Sequence, residues 1–582
     1  MQPAQQPETR VAGSGMDRRA FLRLTGLSSV GIAFLAAACG SVGGNVGSAL
    51  PSSTRSAEAG AATSSGSTSK GSVLPTYVPI QGPKPDLAGN EAGLQDGYST
   101  YPKTQFKSVT ETPGLGTDVI AMTRDAGGPP PPLEQNAAWQ AVNKQLNATM
   151  KLQIISPADY QTRVATVMAG GDAPDLMYFM TGTQVTPGLA DYLKASFADL
   201  GPYLAGDAVK DYPNLAGLPT SSWKLTQYNN SIYGIPLPRP SVDNIWFVNQ
   251  TRFDALGLSQ PKNKDDFKRV LMALTQPQMN QYGLGDSSST LGLALGGRGD
   301  CPMAAVFGVP NNWSVDSSGK FTKDFETEQF KAALDYVRDL YASGVYFPDP
   351  LNGVTIKSSF LAGKYGVMLQ GWSPYPLEFW NVGKSQNPPM DVRTLGPFSH
   401  DGSTPVFHRY GLNLGMTAIK KGSPERVKEL LRIMNYLAAP FGSEESLLLD
   451  YGVKDVDFTF DGQGNPVPTQ KGLSDLFVSW KYFTQHQQVI FDASDPNFAG
   501  VAYAAQQGIV PYLLDDPSVG LYSPTDTNKG GVLNQKFVDG LAEMVTGHAP
   551  ASGLDQLVSD WRSGGGEQMR AEFQQAYAES RK

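Results

Sequence analysis

Residues 117–179 read TDVIAMTRDAGGPPPPLEQNAAWQAVNKQLNATMKLQIISPADYQTRVATVMAGGDAPDLMYF, and this stretch decides the fold class. Apolar runs at 117–122, 151–155 and 175–179 predict strands, whereas 133–150 and 158–169 have the 3.6-residue periodicity of amphipathic helices. Strands that alternate with helices in this way favour parallel βαβ units, with helices on both faces of the sheet. We therefore predict an α/β fold.

Two later segments predict helices with well-marked ends. Between 324 and 344 the apolar residues fall on one helical face, and Gly344 suits the left-handed position that follows a helix. Between 423 and 437, Ser423 can cap the helix, Pro424 fits its first turn, and a second apolar stripe follows. We expect both stripes to pack in the core.

Residues 17–40 read DRRAFLRLTGLSSVGIAFLAAACG and predict export. Arginines precede an uncharged run at 24–38, which is shorter than the roughly 20 residues of a membrane-spanning helix, and small residues precede Cys39. Arg18 and Arg19 resemble a twin-arginine signal, with the general secretory route as the alternative. The residues before Cys39 resemble a lipobox, which predicts a signal peptide over 1–39 and a lipid anchor on Cys39. An ordinary signal peptide with an incidental cysteine is the other interpretation.

Residues 40–110 are dominated by Ser, Gly, Ala, Thr and Pro. Such a composition buries too little apolar area to offset the entropy of ordering, so we expect a flexible tether between the lipid and the folded part. The second cysteine of the chain, Cys301, has no partner once Cys39 is lipidated, which excludes an intramolecular disulfide. The fold is expected to depend on core burial, for which 582 residues are sufficient.

Composition and motifs argue against several functions. The net charge is −8, from 46 basic and 54 acidic residues, and no basic stripe typical of a nucleic-acid binder is visible. The sequence contains none of the metalloprotease, serine-hydrolase and phosphate-loop signatures. Aromatic residues make up 10% of the chain and charged residues only 17%, which favours recognition of ring-shaped ligands.

Several segments, in one order along the chain, resemble the family 1 extracellular solute-binding proteins of oligosaccharide importers. They are MAGGDAPDL at 168–176, YGIP at 233–236, FVN at 247–249, the helix at 261–274, FLAGKYGVM at 360–368, and the return strand and helix at 418–437. Residues 263–264 are Asn-Lys, where the family usually has Thr-Trp. The resemblance covers most of residues 115–440.

The resemblance implies a two-lobe periplasmic-binding-protein fold of type II, with the ligand cleft between the lobes and closure by a hinge. It predicts lobe 1 from 111–238 plus 405–460 and lobe 2 from 239–404 plus 461–582. The chain is expected to cross between the lobes near 236–240, 396–405 and 455–466.

We predict no bound metal and no cofactor. Some larger relatives carry a calcium loop rich in Asp and Asn, but residues 275–281 contain no carboxylate, and calcium requires carboxylate oxygens. Asp455, Asp457 and Asp461 have suitable spacing, yet the sequence around Asp461 is better interpreted as a hairpin turn.

A sugar presents apolar faces and a hydroxyl edge, so its site needs flat aromatic rings and polar groups. Trp372 is our first candidate, because its position resembles that of the family's cleft tryptophan. Tyr375 follows it, and both could instead be structural aromatics at the lobe edge. Tyr178 lies at the carboxyl end of a strand, where ligands of open α/β sheets bind.

The first crossing supplies Arg239, Asp243 and Trp246 as further candidates. Arg239 offers planar donors for hydroxyl or carboxylate groups, and an Arg239–Asp243 ion pair between the lobes is the alternative. The remaining candidates have less support: His408, for which a structural role is the alternative, its neighbour Arg409, and the tryptophans Trp313 and Trp223.

The predicted function is that of an extracytoplasmic, monomeric substrate-binding lipoprotein of an ABC importer. It would bind a small solute, which we expect to be an oligosaccharide, without changing it, and its partners would be the permease subunits and the membrane. Two alternatives remain. An exported hydrolase would need a pair of carboxylates across the bond it cleaves, and a surface adhesin is suggested by the tether and by the tripeptide at 298–300.

Overall fold

The computed structural model describes residues 74–125, 128–180, 186–228, 231–285, 290–293, 301–348, 356–386, 388–411 and 413–581. The predicted signal peptide with Cys39, residues 40–73 of the predicted tether and the tripeptide at 298–300 lie outside them. The described residues all belong to one compact unit, 69–582. None of their helices is both long and apolar enough to span a bilayer.

Nine strands in the described residues build two main sheets. In chain order they are β1 (Asp118–Arg124), β2 (Thr149–Ile155), β3 (Leu176–Met180), β4 (Ile235–Pro238), β5 (Ile245–Asn249), β6 (Tyr282–Gly285), β7 (Tyr365–Gln370), β8 (Val392–Thr394) and β9 (Asn413–Ile419).

The first lobe contains a five-stranded sheet in the order β2-β1-β3-β9-β4. Strands β1, β2 and β3 are parallel, and β9 runs antiparallel to both β3 and β4. Residues 176–179 of β3 are all buried, because helices cover both faces of the sheet. The predicted parallel α/β arrangement is therefore confirmed.

The second lobe contains a four-stranded sheet in the order β8-β5-β7-β6. Strand β5 is antiparallel to β7 and β8, whereas β6 and β7 are parallel. All five residues of β5 are buried. Each lobe thus has its own sheet and its own apolar core.

Helices of eight or more residues pack around the two sheets. In the described part of the chain they are Ala137–Leu146, Tyr160–Gly170, Leu189–Ser196, Lys264–Leu274, Glu328–Ala342, Pro424–Leu437, Glu444–Tyr451, Asn497–Ile509, Gly531–Val545, Leu554–Trp561 and Glu567–Ser580.

The two helices predicted from periodicity form as expected. Ser423 caps Pro424–Leu437 by accepting from the backbone N–H of Arg426, and the helix's apolar stripe is buried. The helix Glu328–Ala342 also buries its predicted face, and Gly344 beyond it has a φ of 71°, which glycine adopts without steric cost.

Three segments cross between the lobes: residues 239–244, 395–411 and 484–496. The first two overlap the predicted crossings. The third differs from its predicted position at 455–466, because that stretch forms a first-lobe hairpin, Phe458–Phe460 with Pro466–Pro468.

Residues 461–483 therefore belong to the first lobe, not to the second as predicted. The Asp475 carboxylate accepts from the backbone N–H of Ala137 (2.9 Å), at the start of a first-lobe helix. Trp480 packs edge-on against Trp139 (6.3 Å). The hydroxyl of Thr484 donates to the carbonyl of Pro236 in β4 of the first lobe. The chain crosses to the second lobe after this residue.

The predicted tether is also shorter than expected. Residues 74–109 pack against the folded domain, and we call this segment the N-terminal strap. Its apolar residues Leu94, Tyr98, Tyr101 and Val109 are all buried. The average composition of residues 40–110 is dominated by Gly, Ser and Pro, so it did not reveal the few apolar residues that are buried against the domain.

The N-terminal strap runs from the first lobe to the second and back. The backbone N–H of Thr76 donates to Gly206 of the first lobe (2.9 Å). On the second lobe, the Tyr503 hydroxyl donates to the carbonyl of Ala88 (2.8 Å). The returning chain is held on the first lobe by Glu445.

Glu445 is buried and accepts three hydrogen bonds from the strap. They come from the backbone N–H and hydroxyl of Ser108 (3.0 and 2.8 Å) and the backbone N–H of Val109 (3.1 Å). Each buried N–H left without an acceptor costs free energy.

We predict that Glu445→Ala lowers the free energy of unfolding by about 2–3 kcal/mol, because it leaves these buried donors without an acceptor. Urea denaturation followed by circular dichroism measures the change. Glu444→Ala is the matched control, since Glu444 is exposed in the same helical turn. Equal effects of the two substitutions would contradict the anchoring role of Glu445.

Candidate functional site

A cavity of about 620 Å³ lies between the two lobes. The first lobe contributes Lys224, Gln227 and Tyr228, from a short helix and the hairpin that follows it. The second lobe contributes residues of the hairpin Trp313–Val315 with Phe321–Lys323, the segment 516–531, and the two C-terminal helices. Both lobes therefore form walls of one cavity.

Two tyrosines meet where the lobes come together. The rings of Tyr228, from the first lobe, and Tyr522, from the second, are 6.3 Å apart and nearly perpendicular. Tyr228 is largely buried, whereas Tyr522 is half-buried. Both line the cavity and present ring surface of the kind that packs against apolar ligand faces.

One wall is a polar network that holds its members in fixed positions. The ammonium of Lys323 lies 2.7 Å from the carboxylate of Asp324 and donates to the side-chain oxygen of Asn312 (2.8 Å). The amide of Asn312 donates in turn to Asp516 (2.8 Å). These charges are already neutralised or hydrogen-bonded within the protein, so the network sets the shape of the wall.

Asp526 differs from that network. Its side chain is exposed within the cavity, and no described residue donates a hydrogen bond to its carboxylate. The pKa of Asp526 is raised to about 6, chiefly by reduced hydration in the cavity; the carboxylates of Asp516 and Glu572 contribute to the rise, and the ammonium of Lys323 opposes it. The carboxylate is thus available to accept hydrogen bonds from a ligand.

An aromatic cluster lies on the same side of the cavity as the polar network. Trp313 is 3% exposed and packs against Trp561 (5.8 Å) and Phe573 (5.7 Å). The ammonium of Lys323 lies 5.6 Å from the Trp313 ring. The cavity therefore combines rings with hydrogen-bonding groups, which is typical of small-molecule sites.

Comparison with known proteins agrees with the two-lobe architecture. The family model for bacterial extracellular solute-binding proteins matches residues 137–434. The chain belongs to this family. Lipoprotein LipO of Bacillus subtilis (strain 168) is 24% identical over 484 residues, which cover 80% of this chain and 93% of LipO.

Two further matches extend over similar lengths. The polygalacturonan/rhamnogalacturonan-binding protein YtcQ of the same organism is 24% identical over 462 residues, 77% of this chain and 89% of YtcQ. Among solved structures, an EF-hand mutant of the S. pneumoniae ABC-transporter substrate-binding protein FusA, in complex with fructo-nystose, superposes with a TM-score of 0.58 at 17% identity. That match covers 80% of this chain and 99% of FusA, and it supports a two-lobe binding-protein fold.

The structure of this solute-binding protein places the sequence-predicted site residues in different environments. Trp313 lines the cavity. Arg239, in the first crossing, is half-buried and has no hydrogen-bonding or ion-pairing partner among the described residues. Asp243 accepts from the backbone N–H of Trp372 (2.8 Å), and no ion pair joins it to Arg239. The alternative of an Arg239–Asp243 bridge is therefore corrected.

Trp372 is 4% exposed and belongs to the apolar core of the second lobe. Its ring packs edge-on against that of Tyr375 (5.4 Å). Its backbone bond to Asp243 ties the end of β7 to the first crossing. The observed contacts of Trp372 are thus those of a packing residue next to the hinge.

Three other predicted aromatics are core residues, which corrects their assignment to the cleft. Tyr375 is completely buried and donates to the carbonyl of Val392 (2.9 Å). Trp246 stacks on Phe398 (5.6 Å). Tyr178 is also completely buried. Tyr178 and Trp246 lie within β3 and β5, whose residues enter the core because helices cover the sheets.

His408 and Arg409 act as structural residues in the second crossing. Nε2 of His408 lies 2.8 Å from the carbonyl oxygen of Val309, and burial lowers the pKa of His408, so the neutral ring donates this bond. Arg409 pairs with Asp515 and donates to Ser241 of the first crossing (2.8 Å). Trp223 is a buried core residue of the first lobe.

Sequence reasoning missed Tyr228, Tyr522, Asp526 and the Lys323 network. The segment DDPSVGLYSPTDTNKGG at 515–531 offered a signal, because functional residues are concentrated in long connections between helices. No one-dimensional pattern, however, indicates that this segment faces the hairpin containing Tyr228.

The described residues contain no group of three or more His, Cys, Asp or Glu side chains arranged to hold a metal ion. The carboxylate of Asp461 accepts from the backbone N–H groups of Gln463 and Asn465 (2.8 Å each), which confirms the predicted hairpin turn. Residues 276–281 form another short turn, closed by backbone bonds between Gln276 and Gln281.

We predict that ligand affinity falls by roughly tenfold between pH 7 and pH 5, because protonation of Asp526 removes an ionised acceptor for ligand hydroxyl groups. The raised pKa of about 6 puts the loss in this range: binding is strongest above it and weakens below it. Titration calorimetry at several pH values measures the profile. Asp526→Asn should flatten it, whereas Asp539→Asn, on an exposed helical face, should not. A flat profile for the unaltered protein would contradict this role.

Proposed function

We propose that this protein is the substrate-binding lipoprotein of an ABC importer, which captures an extracellular oligosaccharide and delivers it intact to the permease. The observation that carries the proposal is the cavity between the two lobes, with tyrosine rings from both and the Asp526 carboxylate, to which no described residue donates a hydrogen bond. Closure of the lobes around a ligand would bring these walls into contact with it.

The chemistry of the cavity matches that of a sugar. The C–H faces of a pyranose pack on flat rings such as those of Tyr228 and Tyr522. Its hydroxyl groups would donate to Asp526 and accept from Lys224, which lies on the opposite lobe. A volume of about 620 Å³ falls within the usual range for small-molecule sites.

The similar proteins support the same class of ligand. YtcQ is named as a polygalacturonan/rhamnogalacturonan-binding protein, and the FusA structure contains fructo-nystose. Polysaccharide fragments are therefore the first compounds to test. LipO is named as a lipoprotein, which supports lipidation of Cys39 and retention of the mature protein at the outer face of the cell membrane. We further propose that the mature protein is a monomer.

A hydrolase acting on the same polysaccharides is the competing function, because Asp516 and Asp526 both line the cavity. Asp516 is already held by Asn312 and by the hydroxyl of Ser518 (2.7 Å), which supports a structural role. We propose binding without catalysis. Chromatography of oligosaccharides after long incubation with the protein tests this: cleavage products would favour the hydrolase, and unchanged ligand with a raised melting temperature would favour the binder.

Tyr522→Ala should reduce oligosaccharide affinity by roughly 10- to 100-fold, because it removes an aromatic contact and its buried area. Calorimetry with a panel of oligosaccharides gives the measurement. Tyr77→Ala is the control, since Tyr77 is 49% exposed on the N-terminal strap. Unchanged affinity in Tyr522→Ala would place the solute outside this cavity.

A further inference from the structure

Two arginines near the carboxyl edge of the first-lobe sheet have no anionic partner among the described residues. Arg124 is the last residue of β1, and Arg239 follows β4. Both are half-buried. Arg426, also half-buried, is paired with Glu429 (2.7 Å). Arg252 and Arg432 likewise have no carboxylate partner among the described residues, but each donates to a backbone carbonyl, of Leu274 and Pro113 respectively. No such acceptor is found for Arg124 or Arg239 among the described residues.

Arg124 is held in a defined position. Its guanidinium carbon lies 5.0 Å from the centre of the Tyr482 ring, a cation–π contact. Its Nε is buried and has no hydrogen-bond acceptor among the described residues. Tyr482 packs in turn against Tyr178 (6.3 Å). The aromatic contact orients the guanidinium but leaves its charge uncompensated.

Arg239 lies at the other side of the same sheet edge. Strands β3 and β9 separate β1 from β4, so the ends of β1 and β4 are about 14 Å apart at the usual strand spacing. The chain from Tyr482 runs towards β4, where Gln485 donates to the carbonyl of Pro238 (3.1 Å), the neighbour of Arg239. One segment therefore connects the surroundings of both arginines.

This edge and the cavity share neighbours in the first-lobe core. Tyr482, beside Arg124, and Tyr522, in the cavity wall, pack against the same first-lobe core cluster, which also contains Tyr178 and Tyr228. Neither arginine lines the cavity itself, so only a ligand longer than one sugar ring, extending beyond the cavity, would reach them.

A partly desolvated charge without a counter-ion is unfavourable, so an anion that binds there gains the interaction that the protein does not supply. The protein has a net charge of −8, so an overall excess of basic residues does not explain why these two arginines lack acidic partners among the described residues. The planar guanidinium matches a carboxylate with two parallel hydrogen bonds.

We propose that the solute is an anionic oligosaccharide of uronate type, and that Arg124 and Arg239 receive carboxylates on different rings of one chain. This inference rests on the proposed function and names the ligand class of that site. Arg124 and Arg239 then determine specificity for acidic over neutral chains.

Calorimetry with an oligouronide, its methyl-esterified form and a sulfated oligosaccharide of similar length tests the proposal. We expect the full chain to bind the oligouronide at least tenfold more tightly than the neutral ester. Arg124→Gln and Arg239→Gln should each weaken oligouronide binding by about 10- to 100-fold and ester binding by less than about threefold. Arg581→Gln is the control, because that guanidinium also lies over a tyrosine ring, Tyr577 (5.5 Å), at the exposed end of the chain.

The outcomes distinguish a wrong ligand class from a wrong proposed function. Equal affinity for oligouronide and ester, unaffected by the arginine substitutions, would overturn the anionic class and leave oligosaccharide binding intact. Tighter binding of the sulfated chain would overturn the assignment to carboxylates. If none of the compounds, nor any neutral oligosaccharide, binds the full chain, the proposed function itself fails.

Discussion

The relative position of the two lobes depends on hydrogen bonds that join the crossings to one another and to the N-terminal strap. Arg409, in the second crossing, donates to Ser241 of the first crossing (2.8 Å) and to the carbonyl of Ala92 in the strap (2.9 Å). The strap also pairs with the third crossing, where the backbone N–H of Ile490 donates to Asp96 (2.8 Å). Residues far apart in sequence are thereby fixed at one hinge region, from which the lobes extend.

That arrangement explains how the cavity is built. Its walls come from elements of both lobes, with Tyr228 on one lobe and Tyr522 on the other. On the second lobe the Lys323–Asn312–Asp516 network satisfies its own charges, so it is preorganised and does not depend on a ligand. Asp526, Arg124 and Arg239 lack such partners among the described residues. The difference between satisfied and unsatisfied polar groups separates scaffold from candidate binding groups.

The correct sequence predictions were those that depend on local periodicity. The helices at 328–342 and 424–437 are set by one apolar stripe and a capping residue, and both are properties of neighbouring residues. The errors came from long-range packing. Residues 461–483 were assigned to the second lobe, yet Asp475 and Trp480 pack on a helix that starts at Ala137. Tyr375 and Trp246 were predicted to bind sugar because they are aromatic and lie near the expected cleft, but the helices that cover the sheet bury them.

By itself, the sequence determined that this chain is an α/β protein with the motif order of a solute-binding family. The periodicity of apolar residues in strands and helices is a property of neighbouring residues and can be recognised from the sequence alone. It also singled out Trp313 and Arg239 as candidates. Only the tertiary structure decided that Trp313 lines a cavity with Tyr228 and Tyr522, that Asp526 and Arg124 lack partners among the described residues, and that residues 74–109 form a strap rather than a tether. These features arise from contacts between segments separated by up to several hundred residues, and no local pattern encodes which distant segments meet.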